Sequence, residues 1–151
     1  MSIPTATPTK ATFRVPFRTR PHAHPTPERF ELSLRKGNEQ QRVRWDGQRL
    51  RFDCIRASGS DSAAFRPSLR EWERFWQTVD RLGVWRWADG FESGRHANEP
   101  TWSLDLARPD QRLQTAGFNA YPPLAEGPEV TPVFASFCAA VSRLVGDQLT
   151  R

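Results

Sequence analysis

The chain has no apolar run approaching the roughly 18 residues of a membrane-spanning helix. Its 151 residues include only two cysteines, three histidines, two lysines, one methionine and one tyrosine. The first absence excludes a multipass transporter. Cys54 and Cys138 lack metal spacing, cannot make a disulfide scaffold, and read as buried thiols. No C-x-x-C, H-E-x-x-H, phosphate-loop, G-x-S-x-G or kinase signature occurs. No apolar segment lies within Met1–Lys10, so no secretory signal is expected and the expected localisation is cytoplasmic. Leu, Ile, Val and Phe supply only 31 of 151 residues, near the ~20% at which disorder sets in. Six tryptophans and ten phenylalanines compensate, each large aromatic burying roughly 150–250 Å².

Charge is abundant but uneven. Residues 1–29 carry five of the positive side chains and one of the negative, so +4 of the formal +5 falls there, with six of the thirteen prolines. Prolines this frequent remove amide donors at short intervals, and the stretch reads as an extended, flexible basic arm. Residues 30–151 then form one domain. Arg outnumbers Lys 20 to 2 along the whole chain, a bias too uniform to mark a binding site.

Apolar periodicity organises the domain. Phe30, Leu32 and Leu34 alternate with polar residues as in a half-buried strand. Val43 and Trp45 continue that face on a second strand, and Leu50, Phe52 and Cys54 on a third. A two-residue Asp46-Gly47 turn predicts the pairs Val43–Leu50 and Gln41–Phe52 on one face, and Arg44–Arg49 and Arg42–Arg51 on the other. Residues 56–67 read as a loop. Ser68 and Glu71 form a capping box for a helix whose buried stripe includes Trp72, Phe75, Trp76 and Val79, with Gly83 ending it. Val84 to Trp87 reads as extended, placing Trp85 and Trp87 on opposite faces. A polar loop over 88–100 precedes strands at 101–106 and 112–118. After a loop over 119–129, Thr131 caps a second helix with Pro132 in its first turn and Gly146 at its end. The expected fold is α+β in the order β-β-β-α-β-β-α: a five-stranded, mainly antiparallel sheet with both helices on one face, plus the arm.

Three segments, Val84-Trp85-Arg86-Trp87, Thr101-Trp102-Ser103-Leu104 and Gly117-Phe118-Asn119-Ala120-Tyr121-Pro122, resemble a family of small bacterial proteins with V-W-x-W, T-W-x-L and G-x-N-A-Y-P patterns. The resemblance spans about half the chain and implies a shared fold, with no activity attached.

The candidate sites follow from residue chemistry. Trp and Tyr dominate protein-contact hot spots. Trp85, Trp87, Phe118, Asn119 and Tyr121 form the expected protein-contact patch, with Tyr121 stiffened by Pro122 and Pro123, which follow it. Arg42, Arg44, Arg49 and Arg51 would line a ribbon that, with Arg14, Arg18 and Arg20 of the arm, could follow a phosphate backbone. His96 with Asp89, Glu92 and Glu99 is a loose metal-ligand set, which Asp105 could assist. The expected function is a non-catalytic protein-binding or adaptor module with a basic tether, needing no cofactor. A nucleic-acid-binding accessory protein and a metal-dependent enzyme are the alternatives.

Overall fold

A computed structural model describes residues 25–93, 100–123 and 128–149. Four strands follow one another as a meander: β1 (Arg29–Lys36), β2 (Glu39–Trp45), β3 (Leu50–Arg56) and β4 (Gly59–Phe65). Helix α1 (Leu69–Leu82) and a single 3-10 turn (Val84–Arg86) lead to a short β5 (Gly90–Glu92). Strands β6 (Trp102–Arg108) and β7 (Gln111–Phe118) then precede α2 (Pro132–Leu144). All seven strands join one sheet in the order β4-β3-β2-β1-β6-β7-β5. Every pair is antiparallel except β5 with β7.

The five-stranded expectation is therefore corrected to a seven-stranded mixed sheet. β4 escapes sequence detection because the helices do not cover it: Gly59 to Ala64 are exposed on both faces, so no apolar alternation is needed. β5 has three residues, too few to show a period.

The β2–β3 register also differs. Asp46 N–H donates to the Arg49 carbonyl at 3.0 Å, so Gly47 and Gln48 make the turn and Trp45 faces Leu50. Pairing shifts by two residues, which preserves the core face. It puts Asp53, not Arg51, opposite Arg42, and Arg51 opposite Arg44.

One face of the sheet carries Phe30, Leu32, Val43, Leu50, Phe52, Trp102, Leu104 and Leu106, all buried, and both helices pack there. Ser68 closes the expected capping box with Glu71, and Gly83 ends α1 at φ 70°. Trp72 of α1 meets Phe30 and Trp45 edge-on at 6.3 and 5.6 Å between ring centroids. Phe134 of α2 packs on Trp102 at 4.8 Å, and Phe75 joins the helices through Phe137 at 6.1 Å. α2 is capped by Thr131 and closes at Val145, one residue before Gly146 at φ 62°.

The domain starts before Phe30. Pro27 is buried, and Pro25 accepts the indole N–H of Trp76. Glu28 N–H donates to Ala107 at 2.9 Å, and Arg29 pairs with Asp105. The last residues assigned to the arm are thus built into the sheet and against α1. No helix among the described residues is long and apolar enough to cross a membrane.

Candidate functional site

The expected contact aromatics fall in different places. Val84 to Trp87 is not extended: Arg86 and Trp87 donate to the carbonyls of Gly83 and Val84, each at 3.0 Å, winding the segment into a 3-10 turn. Side chains three apart eclipse in such a turn, so Val84 and Trp87 enter the core together, 0% and 7% exposed. Trp87 lies among Trp102, Phe134 and Phe137. Trp85 stays half-buried, stacked on Trp76 at 6.2 Å and donating to Asp80 at 3.1 Å. The Arg108 guanidinium lies 4.9 Å from the Trp76 ring and 5.2 Å from that of Trp85. It also pairs with Asp80 at 3.2 Å. This cluster fastens the end of α1 to the end of β6.

Tyr121 lies at the other end of β6. Its ring stacks on Trp102 at 6.4 Å and tilts against Phe134 at 5.0 Å. Trp85 packs against Arg108 and Tyr121 against Trp102, the two ends of a seven-residue strand. They belong to different clusters.

The chain around Tyr121 is fastened at several points. Thr101 N–H donates to the Gly117 carbonyl at 2.8 Å, and Asn119 N–H, at φ 56°, donates to Thr101 Oγ1 at 3.2 Å. The Trp102 indole N–H crosses over Gly117 to reach the Ala120 carbonyl at 2.8 Å. The Thr131 hydroxyl donates to the Pro122 carbonyl while capping α2. The T-W-S-L and G-F-N-A-Y-P segments therefore meet, and these bonds together with the prolines hold Tyr121. Phe118, half-buried, ends β7.

Between this corner and the β1–β2 hairpin opens a cleft of about 650 Å³, within the range of ligand pockets. Leu34, Trp102 and Phe134 make its apolar base, and Asn119, Tyr121 and Val130 flank it. Arg35, Lys36 and Glu39 supply charge at its mouth. The Glu39 carboxylate accepts the Cys54 thiol at 3.3 Å. Burial first, then that carboxylate, pushes the Cys54 thiol up from its ordinary value, the opposite of what a nucleophilic thiolate needs. Residue pattern marks Tyr121 and Asn119; Leu34 and Lys36 read only as strand and turn, and Val130 carries no signal of its own.

The arginine ribbon is broken up. Arg42 bonds Glu31 at 3.2 Å, and Arg51 bonds Asp46 at 2.9 Å. Arg49 sits in the turn with a buried Nε that has no partner among the described residues. Arg44 is exposed on the open face, opposite Glu31 and Arg51. Two backbone N–H groups, from Arg49 and Gln48, then Arg51, hold the Asp46 carboxyl at about 2. Arg14, Arg18 and Arg20 lie outside the described residues, as do His96 and Glu99; Asp89 and Glu92 lie inside them. Among the described residues, no three His, Cys, Asp or Glu side chains converge as metal ligands.

The chain matches no family model, no curated protein and no solved structure.

Proposed function

We propose that the chain is a cytoplasmic, non-catalytic protein-binding module. Its Tyr121 cleft receives an apolar or aromatic side chain from a partner segment bearing neighbouring acidic residues. The observation that carries this reading is the cleft itself: an aromatic and aliphatic base, a fastened tyrosine beside it, and two cations, Arg35 and Lys36, at the mouth against one acid. Such a site sets an apolar base beside polar and charged groups that fix orientation, and tyrosine supplies contact area at small entropic cost. The arginine face supports nucleic-acid binding less well, because Arg42 and Arg51 already sit on carboxylates.

The test is selection from a displayed peptide library on the full chain, in parallel with the Lys36→Glu and Val130→Arg variants. Both positions are exposed, so the fold should survive. Wild-type protein is expected to enrich peptides with a large apolar residue next to Asp or Glu, and both variants to lose them. Enrichment that both variants retain would contradict the proposal.

A further inference from the structure

β4 ends the sheet as a long edge strand whose single charge, Asp61, is paired with Arg56 of the neighbouring strand. It is seven residues long and pairs with β3 without a bulge from Arg56–Gly59 to Leu50–Phe65. It contains no lysine and no proline, and every residue from Gly59 to Ala64 is exposed. Natural edges are kept short, charged, kinked or covered to avoid pairing with another chain. The opposite edge obeys that rule, since β5 has three residues. Alternate β4 residues aim their main-chain N–H and C=O groups away from β3, over a span of about 23 Å.

The side chains of β4 suit one occupant. An antiparallel partner related by a two-fold axis through Ser62 sets Ser62 against Ser62, Ser60 against Ala64, Asp61 against Ala63 and Gly59 against Phe65. No charge then faces its own copy, although like charges opposite one another destabilise a sheet. Asp61 is already neutralised by Arg56 at 2.9 Å within its own chain. Phe65, half-buried on the helix side, meets glycine across the pair, the arrangement in which an aromatic covers an edge glycine. The small side chains of Ser60, Ser62, Ala63 and Ala64 let the backbones approach.

We infer that β4 is the homodimerisation edge: two copies pair β4 to β4, antiparallel about Ser62, into one continuous fourteen-stranded sheet. A two-fold contact of this kind is self-complementary. It leaves the Tyr121 cleft free, because the cleft borders the β1–β2 hairpin and α2, and it stands independently of the function proposed for the cleft.

Light scattering on the full chain over about 5–500 µM tests the pairing, together with Ser62→Pro, Ser62→Lys, Ser62→Cys and Ser60→Cys. Wild-type protein should be a dimer at the upper concentrations. Ser62→Pro and Ser62→Lys should be folded monomers by circular dichroism. Under mild oxidation Ser62→Cys should give a covalent dimer, since paired strands place facing Cα atoms about 4.5–5.5 Å apart, inside disulfide range. Ser60→Cys should not, because the two-fold axis leaves its copies roughly 13 Å apart. The native Cys54 and Cys138 are buried and should not cross-link. A monomer at every concentration, a dimer unchanged by both Ser62→Pro and Ser62→Lys, or equal cross-linking through Ser60→Cys would overturn the inference.

Discussion

The indole nitrogen of Trp102 reaches the Ala120 carbonyl at 2.8 Å by passing over Gly117, where a Cβ would stand 1.9 Å from that nitrogen and 2.3 Å from that oxygen. One missing side chain thus lets a β6 tryptophan clamp the corner that presents Tyr121. Gly117→Ala is expected to cost about 3 kcal/mol of stability through overpacking and to change the tryptophan fluorescence of the folded state. Gly90→Ala, whose Cβ would meet nothing closer than 3.7 Å, is the control and should stay within about 0.5 kcal/mol. Denaturant midpoints of the two variants check both values.

Trp85 and Trp87, two residues apart, should behave differently. Trp87→Ala empties a core position among three aromatic rings and should cost roughly 3–5 kcal/mol. Trp85→Ala loses a stack and an arginine contact at a half-buried position and should cost about half as much. Equal losses in chemical denaturation would contradict the 3-10 turn as the reason for their separation.

Removing residues 1–24 should leave the thermal midpoint within a few degrees of wild type, whereas removing 1–29 should lower it much further. The longer deletion takes away buried Pro27, the Pro25–Trp76 hydrogen bond and the Arg29–Asp105 pair. A shift of several degrees per kcal/mol is expected for a domain of this size, so calorimetry resolves the two truncations.

Acid should weaken the β2–β3 turn over a defined window. The Asp46 carboxyl sits at about 2 against an ordinary 3.8, so its native state binds fewer protons than the unfolded chain between those values. Its stabilising contribution is complete above about pH 4 and is lost as pH falls through about 2. The difference in denaturant midpoint between wild type and Asp46→Asn should therefore shrink from pH 5 to pH 2. Asp105, lowered chiefly by its hydrogen bond from Arg29, should weaken in the same direction.

Alternation made β1, β2, β3, β6 and β7 legible because each has one face against the helices, and the capping residues Ser68, Gly83 and Thr131 marked the helix ends. β4 was illegible for the complementary reason: with no helix over it, Asp61 and Ala63 need not be apolar. The 84–87 segment misled because alternating aromatics fit a strand, while Gly83 at φ 70° turned the chain into a 3-10 coil. In the turn after Trp45, Asp46 accepts from two amides and moves the register by two, which leaves one arginine pair, Arg44 with Arg51, in place of two without disturbing the core. Tyr121 and Asn119 could be marked from local chemistry. The cleft could not, because Leu34 and Lys36 come from a strand some 85 residues earlier and reach it only through the β1–β6 pairing.

The central claim is that the Tyr121 cleft binds an apolar side chain flanked by acid, and the chain's only tyrosine reports it directly. Protein carrying fluorotyrosine gives one ¹⁹F resonance from position 121. Titration with a synthetic peptide of a tryptophan set among aspartates should move that resonance saturably, and Lys36→Glu should weaken the binding at least tenfold. A resonance that stays fixed while calorimetry registers peptide binding would place the interface elsewhere and contradict the account.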